Sequence, residues 1–161
     1  MEHHATEVAA APASLNRLAA QATTHCLTGC AIGEVLGLVV STQLGWSNAA
    51  SIAISIVLAY IFGFALTIRP LLRSGMAIAA ALGIALAADS LSITVMEIVD
   101  NATVLLVPGA MDASLADALF WGALVTSLIL AWFAAFPVNR WLISRGRGHA
   151  IAMQHHDHRA T

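Results

Sequence analysis

The sequence predicts an all-α fold, an integral membrane four-helix bundle with both termini in the cytoplasm. Three observations predict it. The 161 residues are 59% hydrophobic and only 10% charged, where a soluble domain carries about 25% charged residues. Four stretches approach the roughly 20 apolar residues that cross a bilayer as a helix. All seven Lys or Arg side chains are arginines, and the connections after the first and third stretches carry none of them. With no lysine and a net charge of -2, nothing points to nucleic acid as a partner.

Residues 1–23 read as a cytoplasmic tail, with Ser14 to Ala22 suited to a short interfacial helix. They lack a compact basic region followed by an apolar core, so we expect no cleavable signal peptide. The membrane domain covers residues 24–143. Its first span is Cys26 to Leu44, with Glu34 as its only charge. Gly45-Trp46-Ser47-Asn48 makes a short outer turn, and the second span runs from Asn48 to Ile68 without a charge. Arg69 to Gly75 forms the inner connection, where Pro70 is expected to break the helix.

The third span, Ser74 to Val107, contains Asp89, Glu97 and Asp100. It is too long for one perpendicular crossing, so it is tilted, extended beyond the bilayer, or broken near Asp100-Asn101. Pro108 to Asp117 is an outer loop. Ala118 to Val138 is the fourth span, and residues 144–161 are a second cytoplasmic tail. Arg17, Arg69, Arg73, Arg140, Arg145, Arg147 and Arg159 all fall on one side under this topology, which the positive-inside rule makes the cytoplasm. Trp46 and Trp121 then lie at the outer interface and Trp141 at the inner one, as aromatic belts do.

Ionisable groups inside a span are costly, so each is a functional candidate. At about 100° per residue, Cys26, Cys30, Gly33, Glu34 and Gly37 share about a third of the first helix. Gly29, Gly33 and Gly37 repeat every fourth residue, a spacing that lets another helix approach closely. Glu34 must therefore face the bundle.

Cys26 and Cys30 on successive turns can reach one ion, with His25 as a third ligand. Thiolate and imidazole suit Cu(I) or Zn(II) as the cofactor. Buried cysteines also serve as small hydrophobes, and packing is an equal reading of the pair. Asp89, Met96, Glu97 and Asp100 share an arc of about 100° on the third span. Counting from Cys26 and Ser74, Glu34 and Asp89 are expected at similar depth, with Glu97 and Asp100 further out. The four carboxyls can form an ion or proton path, or a neutral hydrogen-bonded network with Ser90, Ser92, Thr94 and Asn101.

His3-His4 and His155-His156-Asp157-His158 are tail histidines that either bind divalent metal or are simply solvated. Asn139, near the inner mouth, is placed to face His25 or another group.

The segments His25 to Glu34, Ala88 to Asn101, Pro108 to Asp112, Pro137 to Trp141 and Arg145 to Ala150 resemble the DUF4396 family of small bacterial membrane proteins. The resemblance spans roughly His25 to Ala150. It implies a multi-span protein of the bacterial inner membrane, and it leaves out His155 to His158.

We see no hydrolytic triad, phosphate loop or dinucleotide fingerprint, so the chain is not expected to be an enzyme. The favoured expectation is a membrane protein handling a metal cation, Cu(I) or Zn(II), or protons. Its metal ligands would be His25, Cys26 and Cys30, with Glu34, Asp89, Glu97 and Asp100 as the onward path. The alternatives are a metal- or thiol-holding assembly factor for a membrane oxidase, and a structural protein with a neutral polar core. Besides the lipid bilayer, a second copy of the chain or a membrane partner protein is expected, because four helices rarely enclose a transport path alone.

Overall fold

The computed structural model describes residues 14–145. The histidine tails, Arg147 and Arg159 lie outside them. The described chain forms α1 (Leu15–Gln43), α2 (Asn48–Arg73), α3 (Ile78–Leu106) and α4 (Ala118–Ser144), with one 3-10 turn at Ala110–Asp112 between α3 and α4. All four helices are long and apolar enough to cross a membrane. The pattern is that of a multi-pass membrane protein in contact with lipid.

Local chemistry sets the helix ends. Ser14 and Ser47 cap α1 and α2, accepting hydrogen bonds from the Arg17 and Ala50 amides at 3.4 Å. Each of these two helices stops at a glycine with positive φ, Gly45 at 66° and Gly75 at 84°. Beyond each glycine the chain turns back. The Trp46 amide donates to the Ser41 carbonyl, and the Met76 amide donates to the Leu71 carbonyl. This double-bonded glycine stop satisfies the last carbonyls of a helix.

Two boundaries differ from the sequence expectation. The interfacial segment and the first span are one helix, α1, because nothing in Leu15 to Thr24 interrupts the ladder. Pro70 does not end α2. It removes one ladder donor in the last turns, and the helix runs on to Arg73 before the Gly75 stop. The third span is a single unbroken helix through Asp100-Asn101.

Each helix packs on the next, α4 closes back on α1, and α1 meets α3 across the diagonal. Short connections alternate the directions, so α1 and α3 run parallel. One end of the bundle holds the chain termini and the α2–α3 turn. The opposite end, the loop end, holds the α1–α2 and α3–α4 connections.

Small residues face inward. The buried positions of α2 are Ser51, Ser55, Ala59, Gly63, Thr67 and Leu71, every fourth residue. The α1 glycines press on this stripe. A Cβ at Gly29 would lie 2.5 Å from the Gly63 Cα, and one at Gly33 would overlap the Ala59 backbone. Small-residue contacts of this kind let membrane helices approach closely. Large apolar side chains point outward instead, with Ile98 63% and Phe133 65% exposed. That inversion of a soluble protein's layout suits a lipid surround. The centre is thin in large side chains: Cys26, Cys30, Ala59, Ile93, Met96, Ala131 and Ala135.

Candidate functional site

The inward faces of α1 and α3 carry the ionisable groups of the bundle interior. Cys26, Cys30 and Glu34 fall on buried positions of α1, and Asp89, Ser92, Glu97 and Asp100 on buried positions of α3. Because the two helices are parallel, these residues meet in rungs. Starting at the terminal end, Asn139 of α4 donates to Thr23 Oγ1 at 2.9 Å and to Ser92 Oγ at 2.8 Å. This three-helix junction is buried.

The next rung pairs Cys26 with Asp89, Sγ to Oδ1 at 3.8 Å. Above it lie Cys30 of α1 and Glu97 of α3, both buried. Asn101 donates to the Glu97 carbonyl at 2.9 Å and to Glu97 Oε2 at 3.5 Å. Toward the loop end lie Glu34 of α1 and Asp100 of α3, both buried and both lining one cleft. From Thr23 to Glu34 the column spans about 16 Å at 1.5 Å per residue.

Three buried carboxyl oxygens, Glu34 Oε2, Glu97 Oε1 and Asp100 Oδ1, meet no hydrogen-bond donor of the described chain. A carboxylate is an acceptor only, so neither Glu34 nor Asp100 can satisfy the other unless one of them carries a proton. The nearest neutral donors are committed elsewhere. Ser55 Oγ donates to the Glu34 backbone carbonyl at 3.5 Å, and Asn101 serves Glu97. Every arginine of the described chain lies near the terminal end, in the first turn of α1 or the last turns of α2 and α4.

Beyond Glu34 and Asp100 the column opens. A cleft of about 420 Å³ lies at the loop end, with both carboxyl residues in its lining. Leu38 from α1, Ile52 and Ser55 from α2 and Phe120 from α4 form its walls, and Trp46 and Asp112 belong to its mouth. Next to Phe120, the Trp121 ring stands edge-on to it, and Trp121 Nε1 donates to the Leu115 carbonyl at 2.9 Å.

Several sequence-predicted residues sit differently from expectation. His25 turns away from the cysteines toward α2, with Nε2 3.3 Å from Thr67 Oγ1. Cys26 and Cys30 are free and buried. Among the described residues, no three His, Cys, Asp or Glu side chains converge on a point that could hold an ion. Asp89 is level with Cys26, and Glu34 is level with Asp100. The expected match of Glu34 with Asp89 fails because α1 begins at Leu15, which carries Glu34 further toward the loop end. Asn139 meets Thr23 and Ser92 rather than His25. Gly29, Gly33 and Gly37 lie on the α2 backbone beside the column.

Sequence reasoning missed Thr23 by placing it in a tail, and missed Ser55 and Thr67 altogether. The period of four small residues along α2 was the signal that could have found the latter two.

The family model described as Domain of unknown function (DUF4396) matches residues 15–148. No curated protein and no solved structure matches the chain.

Proposed function

This chain belongs to the family described as Domain of unknown function (DUF4396), and from that premise we propose that it handles protons through the buried carboxyl column between α1 and α3. The observation that carries this reading is the Glu34–Asp100 pair. Two buried acidic residues line one open cleft, and among the described residues no arginine lies near them and no donor meets Glu34 Oε2 or Asp100 Oδ1. Groups so placed either hold a proton or bind a cation. Glu97, Cys30, Cys26 and Asp89 continue the column toward the terminal end, where Asn139 closes it with hydroxyl contacts. Isolated ionisable residues in membrane helices commonly mark such relays.

The described arginines gather at the terminal end, and under the positive-inside rule this supports a reading with both termini in the cytoplasm of a bacterial inner membrane and the cleft open to the other side. A second copy or a partner protein would cover part of the outward apolar surface.

Proton flux into proteoliposomes, read by an entrapped pH dye under an imposed gradient, tests the reading. Flux above empty liposomes is expected, falling at least tenfold in Glu34→Gln and in Asp100→Asn with helical content unchanged. No flux from the folded protein, or full flux in both variants, would overturn it.

A second reading rests on the thiols. Cys26 and Cys30 are free, buried and on adjacent turns, and Cys26 faces the Asp89 carboxyl. Modest side-chain motion would let both sulfurs take Cu(I) or Zn(II), which thiolates favour. Elemental analysis of the purified protein beside the Cys26→Ser/Cys30→Ser double variant decides it. Near-stoichiometric metal lost in the variant supports a metal site, and no metal after reductive reconstitution removes it.

A further inference from the structure

The cleft at the loop end has the properties of a small-molecule site, and its chemistry selects a class of ligand. Its volume of about 420 Å³ falls in the range of roughly 300–1,000 Å³ typical of such sites. Its walls are mainly apolar, and its base is acidic. Glu34 is 4% and Asp100 5% exposed, so both are deeply buried, yet Glu34 Oε2 and Asp100 Oδ1 find no donor among the described residues. Ser55 is committed to the Glu34 backbone and Asn101 to Glu97. A buried acceptor left without a donor costs about 1–3 kcal/mol, and more when charged. Rotation of either carboxyl toward the cleft would let a bound cation with N–H groups remove that cost.

We propose that the cleft binds a small organic ammonium ion, whose N–H groups donate to the Glu34 and Asp100 carboxylates while its apolar body lies along Leu38, Ile52 and Phe120.

An inorganic divalent ion fits less well. Calcium and magnesium take six or more oxygens at short range, and among the described residues no three acidic, thiol or imidazole groups converge. An ammonium needs only a few acceptors and leaves the rest of the ligand for apolar contact. Trp46 at the mouth adds an aromatic face, which attracts a cation by about 0.5–1 kcal/mol at an exposed site. The proposal uses the same carboxyl pair as the proton reading. Equilibrium binding in detergent needs no flux, however, so either can fail without the other.

The test is calorimetric titration of the full-length protein in detergent with 2-phenylethylamine, a primary ammonium at neutral pH, against empty micelles. The neutral analogue 2-phenylethanol is titrated in parallel. Saturable one-site binding of the amine is expected, at least tenfold tighter than that of the alcohol. It should weaken at least tenfold in Glu34→Gln and Asp100→Asn. Val104→Trp, which fills the cleft without removing a carboxyl, should weaken it similarly and serves where the acidic variants fail to fold. Absence of saturable binding by folded protein, equal binding of the alcohol, or unchanged affinity in any folded variant would overturn the proposal.

Discussion

Glu34 of α1 and Asp100 of α3 are both buried and both line the loop-end cleft, and among the described residues no N–H or O–H donor reaches Glu34 Oε2 or Asp100 Oδ1. Two acceptors cannot satisfy each other without a proton. A bundle built only for stability would gain by placing an amide on one side of this pair. Glu34→Gln supplies such a donor without changing shape. Its unfolding free energy at neutral pH should match or exceed that of the parent, within about 1 kcal/mol, the usual net worth of a hydrogen bond. A detergent unfolding titration measures it. A large loss would mean that the acidic pair itself holds α1 to α3.

The α1–α2 seam is the tightest contact in the bundle. A methyl at Gly33 would collide with the Ala59 backbone, which cannot move aside as a flexible side chain can. Gly33→Ala should therefore destabilise the protein by about 1–3 kcal/mol, the usual cost of overpacking. Gly83 and Gly122 meet nothing within 4 Å. Alanine at either should be neutral or stabilising by up to about 1 kcal/mol, since glycine is the weaker helix former. Equal loss at Gly33 and Gly83 would remove close packing as the cause.

Asn139 joins three helices through its bonds to Thr23 and Ser92. Interhelical bonds in membranes average about 0.6 kcal/mol and reach about 1.7. Asn139→Leu should cost about 1–2 kcal/mol and loosen the terminal end. The expected sign is faster hydrogen exchange of amides around Thr23 and Ser92, with those around Glu34 unchanged.

Asp117 precedes α4 in the exposed α3–α4 connection. Its side chain is hydrogen-bonded by Ser114, including a backbone amide bond of 2.7 Å to Oδ2, and these bonds hold its carboxyl below the ordinary 3.8. A depressed folded value means that the contribution is present above pH 3.8 and is lost as pH falls through the folded value. Thermal melts of the parent and of Asp117→Asn should therefore differ slightly at neutral pH and converge in acid. The carboxyl is fully exposed, so solvent screening keeps the difference small.

The thiols are almost fully buried, Cys26 and Cys30 at 1% exposure each. A maleimide should label them slowly in the folded protein and rapidly once it is denatured. Fast labelling of the native protein would show that water reaches the middle of the column.

The amino-acid sequence by itself determined the four helices, the glycine stops at Gly45 and Gly75, and the inward direction of Cys26, Cys30, Glu34, Asp89, Glu97 and Asp100. Each follows from local chemistry or from the 3.6-residue period, which fixes the angle of a side chain about its own helix axis. That period is silent about how far one helix slides along another. The pairing of Glu34 with Asp100 rather than Asp89, the turn of His25 toward Thr67, and the Asn139 junction were decided only by the tertiary structure. They depend on where α1 begins and on where its glycines come to rest against Ser55, Ala59 and Gly63. Close backbone approach between small residues sets that axial register, and with it which carboxyls share the cleft.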